Sequence, residues 1–325
     1  MMIDILGLMA LVALAVLGAW LTRRALRAGH RGVKWVGSFL AGVIALVGSA
    51  AVVVALAGAY KINFPSRRPP PTEVKVAATP EMLARGAKIG VICAGCHSPN
   101  DKPPLIGRDF LAGGGPPFGR LYAPNLTPAG EIKDWSDAEV IRAIREGVHK
   151  NGRALVVMPS DVFRHLSDSD VQSVVAYLRS QTAAGQATPP AKLNVLGEMF
   201  VGAVFPTSAQ PPIIEPVVAP PEGRSPEYGK YLVSIADCRT CHGEHLAGRV
   251  QKGPGPPAGP NLTMLVPSWS LDGFVQTIRT GVDPNKHTLT EEMPWKSISS
   301  FASDDDLAAI YAYLHGLAPL PGPDK

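Results

Sequence analysis

Two uninterrupted apolar runs open the chain. Ile5 to Leu21 carries no charged side chain, and neither does Trp35 to Tyr60. At about 1.5 Å of helical rise per residue, the second run is long enough to cross a hydrocarbon core with some tilt. Between them stand Arg23, Arg24, Arg27, His30, Arg31 and Lys34, and so basic a short loop belongs on the cytoplasmic face. The pattern predicts a two-helix transmembrane anchor over residues 1–61 with both ends, including the N-terminus, outside. A cleaved signal peptide would need a basic segment before the first run, yet the only charged side chain there is Asp4. Ser38, Ala41, Gly42 and Ala45 give the second run a small-residue face that can seat the first run or a partner's helix.

After the anchor the pattern changes. Residues 62–79 contain Pro65, Pro69, Pro70 and Pro71 and read as a semi-rigid stalk. Residues 80–183 and 226–325 then alternate short amphipathic stretches with Gly- and Pro-rich loops. In the first unit an opening helix carries Cys93 to His97, and a second helix covers Asp137 to Glu146. A closing helix follows Ser167 as N-cap, with Asp170 at the capping-box position. Ser303 with Asp304 to Asp306 opens the matching helix of the second unit. The connector, residues 184–225, holds one apolar insert, Leu193 to Phe205. It reads as a wedge between the two units or as a patch that docks on a partner or the membrane.

The two units are an internal duplication. Asn125-Leu126-Thr127 matches Asn261-Leu262-Thr263, and Trp135 through Val148 aligns without a gap to Trp269 through Val282. Met158-Pro159 matches Met293-Pro294, and Ala176-Tyr177-Leu178 matches Ala312-Tyr313-Leu314. The first copy is nine residues longer between its histidine and asparagine, in a loop containing Gly113-Gly114-Gly115-Pro116-Pro117.

Each copy also contains Cys-x-x-Cys-His: Cys93, Cys96 and His97, then Cys238, Cys241 and His242, which uses every cysteine in the chain. This spacing is the attachment signature of c-type haem. Residues three and four apart share a helix face, so two thiols can stitch a porphyrin edge while the adjacent imidazole reaches the iron. The expected cofactors are therefore two covalently bound haem c groups. The shared Met-Pro context nominates Met158 and Met293 as the distal iron ligands, a pairing that suits electron carriers. His149 and His287 lie just upstream and are competing ligands, whereas Met264 reads as core filler. Zinc would need four ligands, so the two cysteine pairs would have to share one metal. A redox dithiol gives no reason for the histidine after each pair.

With these motifs in view, both units resemble class I cytochrome c domains. The run Pro-Asn-Leu-Thr, Trp-Ser, Arg-x-Gly-Val, Met-Pro, Tyr-Leu is similar to that of the cytochrome subunits of membrane-bound gluconate, aldehyde and alcohol dehydrogenases. The resemblance implies a mainly α fold: an N-terminal two-helix anchor followed by two class I cytochrome c domains. It departs from those subunits in carrying two haem motifs rather than three and in its N-terminal anchor, an arrangement that also resembles the diheme subunit of some haem-copper oxidases. By resemblance, a backbone carbonyl in each following Pro-rich loop orients the imidazole. Arg145 and Arg279 are candidates to face haem propionates, with solvated arginines the plain alternative.

Composition sharpens this picture. Aromatic residues are only 6% of the 325, which leaves two small units short of core unless a buried porphyrin completes each. Thirty-two prolines and 33 glycines suit loops wrapped round a flat cofactor. The pI near 8.9 invites a nucleic-acid reading, but the charge map opposes it. Residues 1–78 carry +7, residues 79–183 carry +1, the stretch to 221 carries −1, and the remainder carries −3. The excess lies on the anchor. The expectation is a diheme electron carrier, rather than a catalyst in its own right, in the bacterial inner membrane with its haem units on the periplasmic side. Its expected partners are membrane lipid and redox proteins: a dehydrogenase or quinol-oxidising complex as donor and a terminal oxidase as acceptor. The alternatives are a dedicated subunit of a dehydrogenase or haem-copper oxidase complex, and a diheme peroxidase, which would need a displaceable iron ligand.

Overall fold

The computed structural model describes residues 4–64, 74–112, 115–251 and 257–323. The stalk prolines and Gly113-Gly114 lie outside the described residues. The chain is mainly helical, with four two-residue strands among the described residues.

Helix α1 (Ile5–Leu26) starts on Asp4, whose carboxylate accepts from the Gly7 amide, a standard N-cap. After the basic turn and one π-turn at Val33–Gly37, α2 covers Ser38–Asn63. The two helices lie side by side, with Gly18 against the backbone of Ala45 and Ala41 and Gly48 against Ala15. The small-residue face of the second run is therefore occupied by the first. The outward sides carry Trp20, Phe39, Leu46 and many other exposed apolar side chains.

The first repeat unit begins with α3 (Pro80–Gly90), capped by Thr79 and carrying Pro at its first position, where the missing N–H costs nothing. A 3₁₀ turn at Val91–Cys93 leads into α4 (Ala94–His97). Strand β1 (Arg108–Asp109) precedes β2 (Gly119–Arg120) and β3 (Tyr122–Ala123), and β1 pairs antiparallel with β3. Helix α5 (Asp137–Glu146) has a complete Ser136/Glu139 capping box and ends on Gly147 at φ 65°, the left-handed conformation glycine tolerates. The short α6 (Ser160–Phe163) follows, then α7 (Asp168–Ser180). In the connector, β4 (Lys192–Leu193) pairs with β2, and α8 (Val195–Ala203) follows on an Asn194 cap.

The second unit repeats the plan: α9 (Pro226–Ile235), α10 (Cys238–His242), α11 (Leu262–Leu265), α12 (Leu271–Thr280), α13 (Trp295–Phe301) and α14 (Asp304–His315). In each unit the opening and closing helices cross at a glycine. A Cβ on Gly86 would sit 1.8 Å from the Ser173 carbonyl oxygen, and one on Gly229 1.9 Å from that of Ala309. No larger residue fits either crossing.

Three expectations need correction. The connector insert is not a wedge between the repeat units: α8 packs on the C-terminal end of α2, where Gly58 meets the Glu198 carbonyl and Lys61 donates to the carbonyls of Val201 and Gly202. Its Gly202 lets the two backbones meet, since a Cβ there would sit 2.1 Å from the Val54 carbonyl oxygen. Met264 is not core filler but 59% exposed, because the single turn of α11 turns Thr263 inward instead. Asp170 does not close a capping box. Its carboxylate takes a bidentate pair from Arg85 at 2.7 and 2.8 Å, while Ser167 N–H donates to the Tyr231 hydroxyl at 3.1 Å.

That diversion joins the two units. Tyr231 belongs to α9 and donates to Asp170, and Tyr228 of the same helix accepts from Arg85 at 3.1 Å. Lys88 reaches across to Asp306, the acid that completes the α14 capping box. Asp170 and Asp306 are both buried. Such pairs give little net stability over apolar packing, yet breaking one strands a buried charge. At the same junction Asp237 takes φ 61°, and burial pushes its carboxyl up to about 6 against a partial offset from the Thr240 hydroxyl, with Asp161 adding repulsion.

Two outcomes follow from this junction. Asp170→Ala removes the buried carboxylate that holds Arg85, leaving it the exposed Glu222 and the Tyr228 hydroxyl, and lowers the thermal midpoint, with a cost of about 3 kcal/mol. For Asp237 the folded state holds its proton to higher pH than the unfolded chain does, so its contribution is favourable at low pH and is lost as pH rises through about 6. Asp237→Asn, which tolerates the same φ, is expected to be more stable than wild type above that pH. The difference should vanish below about pH 4, as thermal melts across a pH series would reveal.

Candidate functional site

The two imidazoles occupy equivalent settings. His97 and His242 are buried. His97 Nδ1 lies 2.8 Å from the Pro124 carbonyl oxygen, and His242 Nδ1 lies 2.9 Å from that of Pro260. A ring hydrogen-bonded through Nδ1 presents Nε2 as its free lone pair, the usual state of a metal-ligating imidazole. Burial lowers the pKa of both rings, which favours that neutral form.

The Pro-Asn-Leu-Thr motif sets those carbonyls. Asn125 Oδ1 accepts from the backbone and hydroxyl of Thr127, and its amide donates to the Ala184 carbonyl beyond the closing helix. Asn261 does the same with Thr263 and Leu320. Each asparagine therefore pins the preceding proline to the end of its unit. In the second copy a Cβ on Gly259 would meet His242 Nδ1 at 2.7 Å, so glycine is needed for this approach.

A further pair went unread in the sequence. Gly107 and Gly248, at φ 92° and 85°, donate to the His97 and His242 carbonyls. The arginine that follows each braces the motif helix: Arg108 donates to the Gly95 carbonyl and Arg249 to that of Thr240, both at 2.7 Å. Gly95 and Thr240 are equivalent positions. The duplicated Gly-Arg pair was the available signal, hidden because the intervening loops differ in length.

A cavity of about 450 Å³ opens beside the first motif. Cys93, Cys96, His97 and Met158 all line it, amid an otherwise mostly apolar wall that includes Ile132, Trp135 and Phe163. His149 and His287 do not line it. The His149 ring stacks edge-on against Trp135 and lies 3.4 Å from Glu131, while His287 is exposed beside Asp283. Arg145 and Arg279 also stand elsewhere: Arg145 pairs with Asp168, and Arg279 holds Asp304 and the carbonyls of Ser299 and Ala302. They tie α5 and α12 to the start of each closing helix. Arg153 and Glu131 are the charged groups of the first unit on the cavity wall, and neither stood out in the sequence.

Four other segments close the same cavity, one of them Ala236 and Asp237 at the start of the second motif. Ile62 comes from the last turn of α2, Thr188 to Ala191 from the connector, and Pro294, Ser297 and Ile298 from the stretch after Met293. The Ile62 carbonyl also accepts from Ala154 N–H at 2.7 Å. The first site thus lies between the end of α2 and the second unit.

The donor set fits haem c. All four cysteines are free, and burial pushes Cys93 and Cys238 up to about 12, far from the depressed range of redox-active thiols. Among the described residues, no group of three or more His, Cys, Asp or Glu side chains is placed to hold a metal ion, which leaves a shared zinc site without support. A mostly apolar cavity with two thiols and an imidazole on one short helical segment, and a thioether on the wall, suits a flat apolar macrocycle carrying iron.

Comparison with known proteins agrees. The family model described as cytochrome c matches residues 83–182, and that described as cytochrome c oxidase, cbb3-type, subunit III matches residues 225–314. A nicotinate dehydrogenase subunit from Pseudomonas putida is 31% identical over 321 residues, covering 89% of this chain and 25% of its own length. The fructose dehydrogenase cytochrome subunit of Gluconobacter japonicus is 28% identical, covering 77% and 56%, and the cytochrome c subunit of the quinone-dependent alcohol dehydrogenase of Gluconobacter oxydans is 24% identical, covering 74% and 55%. The chain therefore spans a quarter of the first relative and a little over half of the others. With a cytochrome c match over each Cys-x-x-Cys-His segment and dehydrogenase cytochrome subunits among its relatives, the chain belongs to the c-type cytochromes.

Proposed function

We propose that this chain is a membrane-anchored diheme electron-transfer subunit that accepts electrons from a dehydrogenase outside the cytoplasmic membrane and passes them to a further acceptor. The observation that carries this reading is the placement of Cys93, Cys96, His97 and Met158 on one cavity, with the His97 imidazole already set by Pro124. In this reading residues 1–61 are the anchor, 62–79 the stalk, 80–183 and 226–325 the cytochrome domains, and 184–225 the connector. Lengths and apolarity of α1 and α2 support the anchor, and the basic turn between them supports an extracytoplasmic N-terminus.

The proposed ligands are His97 with Met158 and His242 with Met293, and the proposed thioether bonds are to Cys93, Cys96, Cys238 and Cys241. Haem c bound in this way would supply a one-electron couple with both iron faces filled. The protein's part is to hold each ring rigidly and keep water out. Pro124 and Pro260 fix the imidazoles, and the Gly-Arg braces fix the motif helices. The Arg85–Asp170–Tyr231 and Lys88–Asp306 links fix one unit against the other. A methionine available to each iron favours a carrier over a peroxidase, whose iron needs an open face.

A dehydrogenase partner is favoured because the similar cytochrome subunits cover about three quarters of this chain. A second reading, an oxidase subunit, draws on the match over residues 225–314. Purification from membranes in mild detergent distinguishes them: a stoichiometric dehydrogenase whose substrate reduces the cytochrome supports the first, and a co-purifying terminal oxidase supports the second. For the ligands, Met158→Ala and Met293→Ala should each abolish roughly half of the methionine-to-iron charge-transfer absorption of the oxidised protein and lower one of two potentials. His149→Ala and His287→Ala should leave that absorption intact.

A further inference from the structure

The connector helix α8 has an unusual setting. It packs against α2 through Gly58 and Gly202, each too close to the facing backbone for a side chain. It also touches the start of α1, where Asp4 Oδ2 accepts from Val195 N–H at 2.9 Å and the Asp4 amide donates to Glu198 at 3.1 Å. Lys61 closes its far end on the Val201 and Gly202 carbonyls. Glu198, the one charged residue of this helix, is thereby turned toward the anchor and buried, while the Asn194 cap donates to the Pro117 carbonyl of the first unit.

The side chains away from the anchor are apolar: Phe200 is covered by Phe118 of the first unit, and the others stand open. Leu196 is 47% exposed and Val204, at the C-cap, is 70% exposed, with Ala203 exposed between them. Exposed apolar side chains also mark the neighbouring turns of the helix pair, among them Leu6 of α1 and Val53, Leu56 and Tyr60 of α2. The level is also informative. A hydrocarbon core of about 30 Å takes roughly 20 helical residues, fewer than the 26 of α2. The α8 contacts, from Val54 to Lys61, thus fall where the apolar run of α2 gives way to its first charged side chain at the outer end. An apolar helix at that level matches the depth of interfacial helices, whose apolar face enters the boundary between headgroups and acyl chains.

We propose that α8 is a monotopic membrane element, its Leu196–Val204 face immersed in the outer leaflet of the lipid bilayer. This rests on the reading of α1 and α2 as membrane-spanning. The first haem site would then be held close to the lipid surface, because the connector residues lining the cavity, Thr188 to Ala191 and Leu193, lead directly into α8.

The test uses the full haem-loaded chain in phosphatidylglycerol/phosphatidylcholine nanodiscs. Nitroxide labels are placed singly at L196C and V204C, with L46C in mid-α2 as a lipid reference and K230C on α9 as an aqueous one. Variants with a wild-type absorption spectrum are compared for collision with dissolved oxygen and with a water-soluble nickel chelate. Labels at 196 and 204 should favour oxygen several-fold, as at 46, and the label at 230 should favour the chelate. If 196 and 204 follow 230 while 46 remains shielded, α8 faces water or an absent protein partner and the proposal is overturned. A chelate-accessible label at 46 instead removes the anchor reading, and the proposal falls with it.

Discussion

Each half of this molecule turns on one hydrogen bond, between a histidine Nδ1 and a proline carbonyl oxygen. The imidazole could rotate on its short helix without that contact, and in the proposed role of iron ligand its plane must be fixed. The surrounding architecture serves it. Asn125 and Asn261 hold the prolines, Gly107 and Gly248 tie down the histidine carbonyls, and Arg108 and Arg249 brace the helix from the other side. All these contacts recur in both copies despite a nine-residue difference in the loops, which identifies them as the requirement the two halves share.

A second constraint is relative placement. Electron transfer between two sites on one chain needs them held at a constant separation, and the units are joined by charged groups rather than by a linker alone. Asp170 could have capped its own helix, as Asp306 does. Instead it accepts from Arg85 and Tyr231, and the helix start is satisfied by the tyrosine hydroxyl. Buried ion pairs are poor sources of net stability, but their stranded charges penalise any other arrangement. The first cavity reflects this junction, since residues after Met293 form part of its wall.

Much of this was legible in the sequence because it follows from local chemistry. The Ser167 and Ser303 caps, the long uncharged runs and the Cys-x-x-Cys-His spacing are encoded within a few residues of one another. The helix predicted over Asp137 to Glu146 has those bounds in the structure. What escaped was set by distant partners. Nothing near Arg145 announces that it pairs with Asp168, nothing near Leu193 to Phe205 announces the end of α2 as its seat, and Met264 looks apolar until α11 is seen as a single turn. The aromatic shortage was informative in another way. It pointed to a core incomplete without a cofactor, and a mostly apolar cavity stands beside the first motif.

The central claim is that each Cys-x-x-Cys-His segment carries one covalently attached haem. Its most direct measurement is the intact mass of the purified mature chain, taken under denaturing conditions and paired with haem quantification by pyridine haemochrome. The expected result is a polypeptide mass increased by two haem groups, retained after acid-acetone extraction, with both increments lost when Cys93, Cys96, Cys238 and Cys241 are all replaced by alanine. A chain with unmodified mass, or haem that extraction removes, would contradict it.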